Sequence, residues 1–445
     1  MAEPIAVQAE HAPPLLPEDY RRNALAFILD SGTFHIGVTF ISATTVLPAF
    51  VAALTDSELM VGLASGLISG GWLLPQLFVA SAVAHLPRKK PVVVRAAWLS
   101  RPILLLVAFL VWRYGLESRG IALAATMLGI VVFFLFDAVV SVPWFDLLAK
   151  CLPARRRGRV LGASQVFGGL GGMGAGLVVR HLLSETGPLA FPANFALLFA
   201  IGAALFMVSA AFLMLIREPA STNLTGAAPP GPRAVLASMP GILVNDRAFL
   251  RLIGIRLLQG FVGVASAFYV LHATRNLGLG MASTGLFVSA QVLGSLAAGL
   301  LMGLVQDRWG PWIHIRLVIL LTMVPPAIAL LAPLFTGSGQ QAILYTYLLV
   351  FFFLGIAAGS IGWPFFNWIL EHAREADRPV YIGMSNTLSA LVMLAPTLGG
   401  WVAKTVSYPA VFALALCFGV ASWWLSARLP DTRSQPMATE PVRVS

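Results

Sequence analysis

Long runs of apolar residues, separated by short polar segments, fill almost the whole chain. A membrane-spanning helix needs about 20 apolar residues. Runs of that length or longer cover residues 23–53, 58–85, 91–113, 120–149, 159–183, 191–216, 249–274, 281–305, 312–335, 341–371, 380–404 and 408–427. Because the runs are continuously apolar rather than alternating, they indicate helices. The pattern predicts an all-α integral membrane protein with twelve transmembrane helices.

The composition agrees with this pattern. Hydrophobic residues make up 58% of the chain and charged residues 11%, against about 25% charged in a soluble domain. The net charge of +10 does not indicate nucleic-acid binding, because the basic residues punctuate apolar runs instead of forming a stripe. Lipid is therefore the expected surrounding of most of the protein.

Lysine and arginine positions predict the orientation, since these residues are enriched in cytoplasmic segments. An even number of helices leaves both chain ends on one side. If that side is cytoplasmic, 21 basic residues lie inside, five lie outside and three lie within the runs. We therefore expect both termini in the cytoplasm and the protein in the cell's inner membrane. The densest basic block, residues 150–159, is predicted to form a cytoplasmic elbow between the fourth and fifth helices.

The longest polar stretch divides the twelve runs into six and six. The predicted organisation is a disordered N-terminal tail (1–22), an N-terminal six-helix bundle (23–216), a cytoplasmic linker (217–248), a C-terminal six-helix bundle (249–428) and a cytoplasmic C-terminal tail (429–445). Within the linker, residues 233–244 are predicted to form a short interfacial helix.

The two halves carry an internal repeat. A shift of 221 residues superimposes identical residues from each half: Pro143 on Pro364, Phe145 on Phe366, Arg157 on Arg378, Gly162 on Gly383, Ser164 on Ser385 and Arg95 on Arg316. The same shift places Asp146 on Asn367. Duplicated halves are typical of secondary transporters, whose substrate site lies between the repeats. The repeat therefore predicts two pseudo-symmetric six-helix bundles.

A loop between the eighth and ninth runs adds a family resemblance. Its sequence GLVQDRWG (303–310) contains Gly303, Asp307, Arg308 and Gly310. With twelve spans and a central linker, this loop resembles the G-x-x-x-D-R-x-G-R loop of the major facilitator superfamily. The corresponding first-half loop has Leu86 in place of the acid. The resemblance implies two bundles that rock about a central cavity, lined mainly by the first, fourth, seventh and tenth helices.

Four charged residues lie inside the runs, where charge is costly and functional residues are expected. Asp30, Arg101, Asp137 and Arg256 lie about 10–16 Å from the cytoplasmic ends of their helices. Arg101 and Asp137 are on consecutive helices at matching depth, so we expect them to pair, either for function or to hold two helices in register. The resemblance places Asp30, Asp137 and Arg256 toward the cavity and Arg101 toward the scaffold.

Asp30 is the first candidate for proton coupling, because an acid among apolar surroundings can load and release a proton. The alternative is a purely structural hydrogen-bonded aspartate. The resemblance also places Gln259 toward the cavity, and a shift of 229 residues sets it opposite Asp30. Trp363 and Asn367, on the aromatic tenth helix, are further candidates for substrate contact.

Other polar residues are predicted to act at the cytoplasmic ends. Asp146 is expected to pair with the arginines of the basic block as part of a cytoplasmic gate. The same gate and loop region is predicted to include Arg157 and Arg378, together with the loop residues Gly303, Asp307, Arg308 and Gly310.

The chain has no hydrolase, metalloprotease or nucleotide-binding motif, and its two cysteines lack metal-site spacing. We therefore expect no enzyme activity and no cofactor or metal. The leading hypothesis is a monomeric secondary transporter that moves a small organic or amphiphilic solute by alternating access, with proton-coupled export. The alternatives are uptake of an anionic metabolite, with Arg256 or Arg101 as its partner, and a non-transporting receptor or lipid scramblase.

Overall fold

In a computed structural model the protein is described over residues 17–84, 86–219, 232–374 and 377–433, and these residues are largely helical. The N-terminal half contains six spans: span 1 (Pro17–Thr39 and Val46–Leu54), span 2 (Glu58–Leu73 and Gln76–Ala84), span 3 (Lys90–Tyr114), span 4 (Arg119–Cys151), span 5 (Ala154–Leu182) and span 6 (Ala193–Met214). The predicted N-terminal tail lies largely outside the described residues.

The C-terminal half repeats this order after a helix at Pro232–Asn245. Its elements are span 7 (Arg247–Phe261, Val262–Ala265, Phe268–Leu271 and His272–Asn276), spans 8 and 9 (Ser283–Leu331, divided at Gly310, then Ala332–Ser338), span 10 (Gln340–Ser360 and Gly362–His372), span 11 (Arg378–Ser389, Ala390–Met393 and Leu394–Thr405) and span 12 (Tyr408–Ser426). The predicted all-α fold with two six-helix bundles is confirmed.

Local sequence explains where the spans begin, end and break. Gly310 has φ +79°, a value that glycine adopts without steric cost, and Pro311 follows it. Among the described residues, eight segments are long and apolar enough to cross a membrane. Spans 1, 2 and 5 fall outside that group because they are broken or rich in small and polar residues.

The basic block differs from the prediction. Span 5 begins at Ala154, so Arg156, Arg157 and Arg159 lie in its first turns, and Leu152 and Pro153 alone form the elbow. Pro153 favours this short turn. A proline disfavours the helical conformation of the residue before it, so span 4 ends there, and its own fixed φ is compatible with the start of a new helix.

Two arginines have the same role in the two halves. The Arg157 Nε donates to the Leu152 carbonyl at 3.0 Å, and the Arg378 Nε donates to the Ala373 carbonyl at 3.3 Å. Each arginine therefore caps the last turn of the preceding span, where helix carbonyls lack partners and favour positive charge. Both donors and both acceptors are related by the 221-residue shift. We call the end of the bundle that carries these arginines the basic face.

The apolar core shows how the halves meet. One large buried cluster joins both halves and includes Phe50, Phe199, Phe268 and Phe351. Toward the basic face the core divides into one cluster within the N-terminal half, around Phe27 and Leu147, and another within the C-terminal half, around Phe249 and Trp368. The two halves therefore share one apolar core toward the opposite face, whereas toward the basic face each half has a core of its own.

Small residues permit the close packing between halves. Spans 2 and 11 meet at Gly62, where an added Cβ would lie 2.0 Å from the Pro396 carbonyl oxygen. Spans 5 and 8 meet at Gly176, where an added Cβ would lie 2.6 Å from the Gly285 carbonyl oxygen. In lipid such backbone contact is a main source of helix association.

Candidate functional site

A cavity of about 380 Å³ lies in the N-terminal half. Its lining is mostly apolar and aromatic, with a few polar groups from spans 1 to 4: Asp30, Ser31, Phe34, His35, Ile68, Ser69, Trp72, Arg101, Phe134, Asp137, Val140, Ser141, Trp144 and Phe145. From Phe134 to Phe145 it follows span 4 from its middle toward the basic face. Phe145, the lining residue of span 4 nearest that face, is 57% exposed.

Asp30 is buried in the cavity wall and held by neutral donors. The Trp144 indole N–H donates to its Oδ2 at 2.8 Å, and the Ser209 hydroxyl donates to its Oδ1 at 2.6 Å. Among the described residues, no lysine, arginine or histidine nitrogen lies within 4.0 Å of this carboxyl group. Protonation of Asp30 would therefore exchange hydrogen bonds without breaking an ion pair.

Arg101 and Asp137 form the predicted pair. The Arg101 Nη1 donates to Asp137 Oδ1 at 2.8 Å, and both side chains are buried. The guanidinium also lies 4.9 Å, 5.2 Å and 5.5 Å from the ring centroids of Phe34, Phe133 and Phe206. The placement of Arg101 toward the outer scaffold was wrong: its long side chain reaches into the half and lines the same cavity as Asp30.

Arg256 occupies the C-terminal half. Its Nη1 donates to the Ser385 hydroxyl, its Nη2 donates to Asn386 Oδ1 at 3.2 Å, and its guanidinium carbon lies 6.0 Å from the centroid of Phe365. Span 11 therefore holds this cation with neutral groups.

Gln259 does not reach the cavity surface as predicted. It is 2% exposed, and its Nε2 donates to Thr322 Oγ1 of span 9 at 2.5 Å. The 221-residue shift relates Thr322 to Arg101, and the 229-residue shift relates Gln259 to Asp30. At these two positions the C-terminal half therefore has neutral groups where the N-terminal half has charges. The side chain points between spans 7 and 9 because Thr322 supplies its nearest acceptor.

Span 10 places the other predicted contact residues away from the Asp30 cavity. Trp363 is 56% exposed, and Asn367 is half-buried one turn further along the same helix. Both remain candidates for substrate contact from the C-terminal half.

Among the side chains that the structure describes, Asp146 forms no ion pair with an arginine of the basic block. Its basic partner there is Lys89, whose Nζ lies 4.0 Å from Asp146 Oδ2. The predicted pairing is therefore wrong for Arg156, Arg157 and Arg159. These arginines lie in the new helix after Leu152 and Pro153, and Arg157 turns back to cap span 4.

The loop that resembles a family motif has a clear local structure. Asp307 and Arg308 are exposed, and the Arg308 guanidinium lies 5.5 Å from the Trp309 ring. The Arg433 Nη1 donates to the Asp307 backbone carbonyl at 3.1 Å. A Cβ added at Gly303 would meet nothing within 4 Å, which leaves room for another helix to approach.

A polar cluster at the opposite face was missed by the sequence analysis. Glu58 Oε1 accepts from Arg275 Nη1 at 2.8 Å and from the Tyr408 hydroxyl at 2.6 Å, and Arg275 also donates to the Ala52 carbonyl at 2.8 Å. These contacts tie the N-terminal half to spans 7 and 12. The signal in the sequence was an acid, Glu58, and a base, Arg275, at the outer ends of two spans.

The sequence of this two-bundle architecture matches a known family. The family description of the Major Facilitator Superfamily matches residues 29–394 and 257–444. The chain belongs to the Major Facilitator Superfamily. Its apolar helices and its membership of this superfamily indicate an integral membrane protein.

Solved structures of other superfamily members share its fold. The nucleoside transporter NupG aligns with a TM-score of 0.68 and 13% identity, over 91% of this chain and 98% of NupG. A D-xylose-proton symporter aligns with a TM-score of 0.65 and 15% identity, over 93% and 99%. A partially occluded inward-open structure of XylE from E. coli aligns with a TM-score of 0.65 and 13% identity, over 94% and 100%.

Sequence relatives are more limited in coverage. Uncharacterized protein Rv2209 of Mycobacterium tuberculosis and Uncharacterized protein Mb2232 of Mycobacterium bovis are each 25% identical over 306 residues, which is 68% of this chain. The chain spans 57% of the length of these relatives.

Proposed function

We propose that this superfamily member is a proton-coupled transporter that exports a small organic or amphiphilic solute by alternating access. The proposal rests mainly on the surroundings of Asp30. It is a buried acid at the cavity wall with neutral hydrogen-bond donors, so proton gain and loss can change its contacts without the cost of stranding a buried cation.

The direction of transport rests on the cavity and the charge distribution. The lining is apolar and aromatic, which suits an amphiphilic solute. We assign the basic face to the cytoplasm by the positive-inside rule, with both termini there and the protein monomeric in the inner membrane. A solute would then enter the cavity from the cytoplasm.

The fold neighbours agree with coupling to protons without fixing the solute. One is named a D-xylose-proton symporter, so this architecture supports proton coupling in at least one other protein. The solute here is a separate question, because an identity of 15% relates the fold alone.

The test begins with a thermal-shift screen of purified protein against diverse small molecules, followed by flux of the stabilising compounds in proteoliposomes. Wild type should accumulate solute under a pH gradient. Asp30→Asn should retain downhill flux but lose the gradient-driven part. Asp56→Asn is the matched control, because Asp56 is an exposed acid of the same half outside the cavity, and its gradient-driven flux should resemble wild type.

Unchanged gradient-driven flux in Asp30→Asn would remove Asp30 from proton coupling. If no compound is accumulated and fluorescent lipid crosses the bilayer instead, the scramblase alternative replaces transport. Binding without flux or lipid movement would favour the receptor alternative.

Uptake of an anionic metabolite is a second candidate function. The specific observation in its favour is Arg256, a cation that neutral groups hold within the membrane.

A further inference from the structure

We infer that Arg256, Ser385 and Asn386 form a binding site for an anionic group, a carboxylate or a phosphate, on the transported solute. The inference rests on the proposed transport function, and it names the chemical class of the solute and the half of the protein that recognises it.

The contacts of Arg256 leave its charge unmatched. Its hydrogen-bond partners are the Ser385 hydroxyl and the Asn386 side-chain oxygen. Within the part of the chain that the structure describes, no Asp or Glu oxygen lies within 4.0 Å of its guanidinium. Asn386 accepts at 3.2 Å, a length typical of a weak hydrogen bond that a charged acceptor can replace.

Arg101 provides the comparison within the same protein. It is also a membrane-embedded arginine, but Asp137 neutralises it at 2.8 Å and three aromatic rings surround it. A buried unpaired charge is costly, and the fold meets that cost for Arg101 with an acid. Arg256 is only half-buried, and it lies toward the basic face, where the core of its half is separate from that of the other half.

Closure of the cavity would raise the cost of leaving the Arg256 charge without an acidic partner. In alternating access the halves come together around the solute, and water leaves the site. An unmatched guanidinium would then be desolvated, whereas an anion bound to it would form a charge-assisted pair. Arginine has five donors in a planar fork that matches carboxylate and phosphate oxygens, and the two bonds seen here leave other donors for the solute.

The N-terminal half has no arginine at the position that corresponds to Arg256. The 221-residue shift relates Ser385 and Asn386 to Ser164 and Gln165, while the 229-residue shift relates Arg256 to Phe27. Ser164 donates to the Leu161 carbonyl at 2.8 Å and Phe27 is buried in the N-terminal core. The cation therefore belongs to one half only, as a recognition group does.

The surroundings specify the rest of the solute. Phe365 lies beside Arg256, with the guanidinium carbon 6.0 Å from the ring centroid. An aromatic ring beside the cation fits an anion with an aromatic or apolar body. A small hydrophilic anion such as inorganic phosphate would use only the polar part of the site.

The test compares matched anionic and neutral probes on the purified full-length chain. The pairs are benzoate with benzamide, indole-3-acetate with indole-3-acetamide, and phenyl phosphate with phenol, with inorganic phosphate as a separate arm. Affinity is measured by thermal shift and by tryptophan fluorescence titration. At least one organic anion should stabilise wild type more than its neutral partner and more than inorganic phosphate.

Variants assign that binding to the site. Arg256→Gln should lower the affinity for the anion by about ten- to hundredfold, which is the usual effect of losing a charged hydrogen-bond partner. Arg256→Lys should retain part of the preference for the anion, which separates loss of charge from misfolding. Arg251→Gln is the matched control on the same helix, because Arg251 is exposed and contacts the Arg428 carbonyl, and it should bind like wild type.

The inference is overturned if no organic anion in the panel binds better than its neutral partner, or if Arg256→Gln binds the anion as wild type does. Asp30→Asn separates this result from the proposed proton coupling. Anion binding should persist in Asp30→Asn even when gradient-driven flux is lost, and a failure of coupling in wild type would leave the binding result unchanged.

Discussion

At the scale of single residues, the charged groups inside the membrane differ in what neutralises them. Asp137 pairs with Arg101, whereas Asp30 accepts from an indole and a hydroxyl. The pair was predictable, because its members lie at equal depth on consecutive helices. The partners of Asp30 were not, because Ser209 is 179 residues away and reaches it only through the packing of spans 1 and 6.

Loss of one partner of the buried pair should be costly. Asp137→Asn leaves the Arg101 charge buried without its acid, and we expect a loss of about 3–5 kcal/mol of stability. The double variant Arg101→Met with Asp137→Leu should recover most of this, because it removes both charges. Thermal unfolding in detergent measures both effects. Equal destabilisation by the single and the double variant would contradict the account, and flux of the double variant would distinguish a functional pair from a helix-register pair.

Asp246, which caps span 7 at the basic face, should make stability depend on acid. Burial alone would raise its pKa, but hydrogen bonds from His372, the Phe249 backbone N–H and Tyr381 outweigh it and lower the pKa below the ordinary 3.8. A carboxyl with a depressed pKa in the folded state stabilises the fold above its unfolded pKa, and that stability is lost as pH falls through the folded value.

We therefore expect the unfolding temperature of wild type to fall between about pH 5 and pH 3 more steeply than that of Asp246→Asn. The two proteins should also differ most near neutral pH, with wild type the more stable. Parallel pH profiles for the two proteins would show that Asp246 does not contribute to acid sensitivity.

At the scale of helices, apolar runs predicted the positions of the spans well because lipid requires long uninterrupted apolar helices. They could not predict the break in span 1 between Thr39 and Val46, where Thr44 bonds to Gln291 of the other half at 2.7 Å. They also could not predict that the arginine block begins a helix. Both features depend on contacts between spans rather than on local apolarity.

The junction of spans 5 and 8 gives a prediction at this scale. Gly176→Leu should prevent the halves from closing at the opposite face, because even a Cβ at this position would lie 2.2 Å from the Ser289 hydroxyl oxygen. Gly174→Leu is the matched control two residues earlier, where an added Cβ meets nothing within 4 Å. The variant should favour a cavity that opens away from the basic face, with reduced flux, while the control transports like wild type.

A cysteine at His35, which is exposed and lines the cavity, can report this change. Its labelling from the basic face should decrease by about tenfold or more in Gly176→Leu if closure is worth the usual few kcal/mol. Labelling equal to that of the Gly174→Leu protein would show that the glycine contact does not control which face is open.

At the scale of the whole molecule, one shared core near the opposite face and two separate cores near the basic face define the conformation. The Glu58–Arg275 ion pair and the Tyr408 hydrogen bond close the opposite face. The repeat in the sequence predicted the two halves. It could not predict which face is open, because in the proposed alternating access one sequence forms both states, and such states typically differ by only a few kcal/mol.

Two-sided labelling of the cavity tests alternating access most directly. His35→Cys is introduced into a chain in which Cys151 and Cys417 are replaced by serine, and membrane-impermeant reagents are applied to right-side-out and inside-out vesicles. Arg159→Cys, on the exposed first turns of span 5, is the one-sided control. The account predicts that the control is labelled from the cytoplasm alone and that position 35 is labelled mainly from the cytoplasm.

Glu58→Gln should shift part of the position-35 labelling to the external side, because it weakens the cluster that closes the opposite face. Position 35 labelled from one side alone under every condition, or the control labelled from the outside, would contradict the account.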